Sequence, residues 1–122
     1  MLSNARVPMS PPQIIYKIVP VALWQEAQAA GVFRGAPVDL ADGFIHFSTA
    51  QQVAETAAKH FAGQSDLLLV AVNADALGAL KWEPSRGGAL FPHLYAGMPL
   101  DAVLWSKPLP WDGTRHVFPE LS

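Results

Sequence analysis

The chain has no cysteine among its 122 residues, which excludes disulfide cross-links, a thiolate zinc centre and a cysteine nucleophile. It has no apolar run near its start: the stretch 1–12 carries one Arg and is broken by Pro8, Pro11 and Pro12, unlike a signal peptide or a spanning helix. It has no basic excess either. Eight Lys and Arg against ten Asp and Glu leave a formal net charge of −2, and the cations are scattered singly, so a general nucleic-acid-binding surface is not expected. Phosphate loops of the P-loop or dinucleotide-binding type are missing, and nothing repeats at a solenoid period. These absences point to a cytoplasmic protein that does not enter membranes.

What is present suits one α+β domain over 14–122, preceded by a flexible leader over 1–13 rich in Pro, Ser and Asn. Apolar residues make up 51% of the chain, with four Trp and six Phe for bulk, while eleven Pro and nine Gly demand many turns and argue against a helical bundle. Residues 14–19 are dense in β-branched side chains and read as a strand. Pro20 ends it and opens a helix over 21–30, with Leu23, Trp24, Ala27 and Ala30 on its apolar stripe and Gly31 as its stop. Residues 32–41 read as a loop. A second helix is expected from Ser48 or Thr49, each with a Gln three residues on as in a capping box, carrying Val53, Ala54, Ala57, Ala58 and Phe61 as its stripe. The unbroken run 67–72 is a central strand covered on both faces. Residues 81–83, 89–94 and 100–105 read as further strands, with a short one near Val117 and Phe118.

The segment Asp42-Gly43-Phe44-Ile45-His46-Phe47-Ser48-Thr49 organises the candidate site. Side chains alternate across a strand, so Ile45 and Phe47 enter a core while His46 and Ser48 stand on the opposite face with Phe44. In Phe91-Pro92-His93-Leu94-Tyr95, His93 and Tyr95 emerge on one side and Leu94 anchors the other. The two segments are expected to meet at one hollow. Glu83, between Trp82 and Pro84, is expected to be desolvated, which would raise its pKa and fit it for acid or base work. Arg86, on a Gly-rich loop, can pair with Glu83 or receive an anion, and Lys17 follows Tyr16 on the first strand. Plainer roles stand beside each: a core histidine packed on Phe44, a tyrosine at a core edge, a lysine snorkelling to water. His46, His93 and Glu83 would also suit zinc or iron, but no tight ligand spacing supports it, so no metal is assigned. Ser48 lacks the glycine-flanked elbow of a serine hydrolase.

The Gly-Phe-Ile-His and Phe-Pro-His-Leu-Tyr segments, with Trp82-Glu83 and an opening Ile15-Tyr16-Lys17-Ile18, resemble the bacterial family catalogued as domain of unknown function 952. That family is similar to the ADP-ribosyltransferase-like superfamily, which implies split mixed or antiparallel sheets with two main helices. The resemblance implies a cleft between the first two strands that accepts an NAD- or ADP-ribose-like ligand. Taken with the residues above, the leading reading has His46, Glu83 and His93 as catalytic candidates and Tyr16, Lys17, Ser48, Arg86 and Tyr95 as ligand-binding ones. Lys17 and Arg86 would meet phosphate, Tyr95 would stack on a ring, and Glu83 would stabilise charge during ADP-ribosyl- or phosphotransferase-type chemistry. Lys17 stands where His or Arg is usual in the superfamily, and Glu83 has no assured match to its catalytic glutamate. Two other readings stay open: a noncatalytic module that senses a metabolite or docks a protein through Trp111 and Phe118, and a hydrolase or isomerase with His46 and His93 as its acid/base pair.

Overall fold

A three-stranded antiparallel sheet of aliphatic side chains divides the core. In it β1 (Ile14–Pro20) and β8 (Val103–Pro108) flank β4 (Leu67–Asn73). The computed structural model describes residues 13–121, apart from the side chain of Arg86. As the middle strand, β4 is covered on both faces, and Leu69, Val70, Ala71 and Val72 are all fully buried; this is why its sequence is a continuous apolar run and not an alternation. Strand parity sorts its neighbours into two clusters. Ile15, Val19, Val70 and Val72 join one with Trp24, Ala27, Ile45, Leu94 and Met98. Tyr16, Ile18, Leu69 and Ala71 join the other with Val53, Ala57 and Leu109.

The helix α1 (Val21–Ala30) follows β1 as expected, burying Trp24 and Ala27 and ending on Gly31 at φ 83°, the left-handed conformation glycine adopts without a Cβ penalty. A second antiparallel sheet pairs β2 (Val32–Phe33) with β7 (Met98–Pro99), and a third has the order β3-β6-β5. Its strands are β3 (Ile45–His46), β5 (Leu80–Pro84) and β6 (Leu90–Leu94). Among the described residues the result is an α+β architecture of three antiparallel sheets and three α-helices, one helix more than the sequence suggested.

That extra helix, α2 (Pro37–Asp42), lies with β2 in what reads as a loop. Pro37 occupies its first turn and Gly43, at φ 88°, ends it, the Pro-start and Gly-stop asymmetry of short helices. The next helix, α3 (Val53–His60), starts later than Ser48 because Ser48 is still extended. Its N–H donates to the Tyr16 carbonyl and its carbonyl accepts from Tyr16 N–H, at 2.9 and 2.8 Å. Half of the second capping box forms, with Thr49 N–H donating to Gln52 Oε1 at 3.0 Å. Of the expected stripe Val53 and Ala57 are buried, Phe61 is half-buried, and Ala54 and Ala58 face solvent. The last long strand begins at Val103, after a 3₁₀ turn at Leu100–Ala102. No strand forms near Val117; the tail is held by a Trp111–His116 bridge, and Phe118 packs on the second cluster. Gln13, placed by sequence in a flexible leader, donates to Asp75 at 3.4 Å and accepts from Ala74; the rest of that leader lies outside the described residues. No helix among the described residues is long and apolar enough to cross a membrane.

The first sheet's central strand should dominate stability. Leu69→Ala is expected to cost about 2–5 kcal/mol through lost burial and a residual cavity, whereas Leu90→Ala, half-exposed on β6, should stay within about 0.5 kcal/mol of the parent. Urea denaturation midpoints at unchanged m-value check both; equal losses would contradict this placement of the core.

Candidate functional site

The sheets built on β1 and β3 are joined by one bridged pair, Tyr16 with Ser48. Beyond that pair a cleft of about 550 Å³ opens, lined by Tyr16, Lys17 and Ile18 from β1, by His46, Phe47 and Ser48, and by His93 from β6. Ala36, Pro37, Val38 and Asp42 of the α2 segment form another wall, and Thr56, His60 and Phe61 from the α3 segment also line the cleft. The volume falls within the usual range for small-molecule sites, about 300–1,000 Å³.

Asp39 is the fixed point beneath this wall. It is 1% exposed and collects five polar contacts. Its Oδ1 accepts from Lys17 Nζ at 3.0 Å, His46 N–H at 3.1 Å and His46 Nδ1 at 2.6 Å. Its Oδ2 accepts from Ala36 N–H at 2.7 Å and lies 3.0 Å from Lys17 Nζ. Burial pushes this carboxyl upward, but the His46 ring, Lys17 and the two backbone amides outweigh it and hold its pKa at about 2. Burial likewise pulls the Lys17 ammonium down, and Asp39 only partly offsets this. Gly35 makes the approach feasible: at φ +123° it carries no Cβ, and an added one would sit 2.9 Å from Asp39 Cβ.

The two sequence-predicted histidines do converge. His46 and His93 are register partners in the β3–β6 pair, with ring centroids 5.6 Å apart, and Phe44 lies on both at 4.6 and 4.1 Å. Their partners differ. His46 Nδ1 meets Asp39 and its Nε2 meets Asp42 Oδ2 at 2.9 Å. An ionised carboxylate only accepts hydrogen bonds, so this setting offers an acceptor to a donor on either ring nitrogen. His93 Nδ1 is 2.8 Å from Glu83 Oε1, and its Nε2 has no hydrogen-bond partner among the described residues. With Nδ1–H donating to the carboxylate, the other nitrogen carries the lone pair.

Glu83 departs from expectation. Its pKa is lowered, not raised: Tyr95 Oη–H donates to Oε1 at 2.7 Å and His93 donates to the same oxygen, and these outweigh burial. Glu83 and Tyr95 do not line the cleft; they stand behind His93, with the Tyr95 ring 5.2 Å from Phe44. Ser48 is buried and turned to α3, where Thr56 donates to the Gln52 carbonyl and so accepts from Ser48 at 2.8 Å. Lys17 is a buried ion-pair partner, neither an open phosphate contact nor a lysine reaching water. Tyr16 is buried in the cleft floor, and burial raises its pKa. The Arg86 side chain lies outside the described residues. Among the described residues no three His, Asp or Glu side chains gather as for a metal ion. Asp39, Asp42 and Thr56 were missed as site residues by sequence reasoning, and Phe44 was placed beside His46 only in its plainer packing role; Pro37 and Gly43 were the signals that could have exposed the first two.

A family model described as protein of unknown function (DUF952) matches residues 18–106. The crystal structure of protein CC0527 from Caulobacter crescentus is 52% identical, with a TM-score of 0.81 over 84% of this chain and 91% of that one. The solution structure of the same Caulobacter protein is 53% identical, with a TM-score of 0.74 over 82% of this chain and 87% of that one. No curated protein matches.

Asp39→Asn would leave the Lys17 ammonium buried beside a neutral partner and is expected to cost about 3–5 kcal/mol. In the parent, a folded pKa of about 2 against an ordinary 3.8 gives stability that is full above pH ~4 and lost as pH falls towards 2, worth about 2 kcal/mol at neutral pH. Denaturation curves between about pH 2 and 7 should therefore show a shallower acid limb in the variant; parallel limbs would show that Asp39 titrates alike folded and unfolded.

Proposed function

Because the chain belongs to the DUF952 family, whose function is unknown, we propose its role from its own cleft: a binding site for a small molecule bearing rings and hydroxyl groups, with His93 as the proton-accepting group. One observation carries this reading. His93 lines the cleft, its Nδ1 is held by a carboxylate of lowered pKa, and its Nε2 has no partner among the described residues. That is how a general base is oriented, with one nitrogen fixed so that the other is presented.

An ADP-ribose- or NAD-like molecule meets the description through its ribose hydroxyls and adenine ring, and the ADP-ribosyltransferase-like fold expected from the sequence belongs to this proposal. The reaction class is proton transfer at a ribose-like hydroxyl during ADP-ribosyl- or phosphotransferase-type chemistry. Glu83 holds His93 and is not the group that stabilises developing charge, since it lies outside the cleft lining. The diphosphate needs a cation other than Lys17, whose charge Asp39 already meets. The rival docking surface at Trp111 and Phe118 has less support: both are half-buried, Trp111 against His116 at 4.9 Å and Phe118 on the core.

Titration of isotope-labelled protein with ADP-ribose and NAD tests the reading. At least one should shift the His93 ring and Phe61 resonances saturably, and His93→Gln should weaken that binding about tenfold, some 1.4 kcal/mol, in protein whose amide spectrum shows the fold retained. Folded protein whose cleft resonances ignore both ligands would remove it.

A further inference from the structure

The two cleft histidines are not equivalent, and the charges around His46 do not balance within its buried contacts. Asp39 brings one negative charge and receives two donors, the Lys17 ammonium and the His46 ring. Lys17 is 7% exposed and Asp39 1%, so that pair is closed from water and complete by itself. The charge that His46 carries when both nitrogens donate is met by Asp42 alone, at 2.9 Å from Nε2.

Asp42 is an unusual residue to find there. Its side chain is 48% exposed, it lines the cleft, and it is the last residue of α2, where the negative end of the helix disfavours a carboxylate. Among the described residues its ion-pair partner is His46. An oxygen anion thus already sits on the cleft-facing nitrogen of a fixed imidazole, on a side chain free to swing into water.

We propose that His46 Nε2–H is an anion-binding point, that Asp42 occupies it in the free protein as a tethered stand-in for the ligand, and that a phosphate or carboxylate oxygen of the ligand displaces it. This rests on the cleft being a small-molecule site and adds the ligand's chemistry: an anionic oxygen at His46, with the ring or hydroxyl portion towards His93, whose imidazole is 5.6 Å away. It also supplies the cation that Lys17 cannot offer. A tethered carboxylate competes at an effective concentration of order millimolar, so the ligand's apparent affinity is lowered by the fraction of time Asp42 is docked.

Titrations at fixed ionic strength, read on the imidazole resonances of His46 and His93, test this with inorganic phosphate, acetate and neutral ribose as probes. Phosphate or acetate should shift the His46 ring saturably. Asp42→Ala should tighten that binding about five-fold or more, with Asp42→Asn between the two, since it removes the charge but keeps an acceptor. His46→Gln should abolish it. If that variant does not fold, the wild-type, Asn and Ala series still decides. The tighter-binding anion tells phosphate from carboxylate, and either supports the proposal. An Asp42→Ala affinity within about two-fold of the parent, or an unmoved His46 ring, overturns it, and the cleft reading stands if ribose or ADP-ribose still shifts His93. A cleft silent to every compound in all variants overturns both.

Discussion

A lysine and an aspartate shut away from water together set the geometry of everything on the cleft side of this molecule. An ammonium or carboxylate moved alone into an apolar interior loses several kcal/mol of hydration. Lys17 lies on the same face of β1 as Ile15 and Val19, and its position is tolerable because Asp39 stands 3.0 Å away. Asp39 is tolerable because its remaining lone pairs are taken by two amides and an imidazole. Such a pair adds little net stability over a well-packed apolar substitute. What it fixes is position: α2 cannot shift along β1 without stranding two charges, so the wall that α2 contributes to the cleft is pinned to the strand that forms the floor.

How much of this was legible in the chain follows from how local each cause is. β1, α1 and β4 could be read because β-branched density, a Pro-to-Gly frame around an apolar stripe, and an unbroken aliphatic run each act within a few residues. The meeting of His46 and His93 was readable too, since parity places Ile45 and Leu94 in the core and the histidines follow. α2 was not, because six residues span under two turns and show no periodicity; only Pro37 and Gly43 announce it. Without α2, Asp39 looks like one more loop aspartate. The Glu83 pKa went the wrong way for a related reason. Trp82 is its sequence neighbour, but the groups that decide it are Tyr95, just past the paired strand, and His93 on it, and no local pattern names a cross-strand partner.

The cleft itself is a consequence of pairing that stops. β1 uses one edge for β4 along its full length and on the other edge makes a single bridge, Tyr16 with Ser48. Had the segment 45–48 paired with β1 as β4 does, backbone hydrogen bonds would close the space and His46 would lie over a continuous sheet. Instead, Phe47 donates to the Pro92 carbonyl at 3.0 Å and draws the segment towards β6. Ser48, turned to Thr56, ties the same point to α3. The opening is therefore held from three sides by groups that take no part in its chemistry.

Within that opening, the proposed reading gives two imidazoles of the same kind different tasks by where their carboxylates stand. His93 has its carboxylate behind it, so the other nitrogen is the one without a partner among the described residues, which is why the proposal gives that ring the accepting role. His46 has one carboxylate beneath, which it cannot leave without taking a donor from buried Asp39, and one in front, half exposed. The first holds the ring in place; on the proposal above, the second leaves its outward N–H exchangeable between Asp42 and an entering acceptor. A ring fixed at Nδ1 that must keep donating there is a poor proton shuttle and a good oriented donor. The division of labour is thus a donor and an acceptor 5.6 Å apart, facing one space, with Phe44 packed against both rings to stop either from turning.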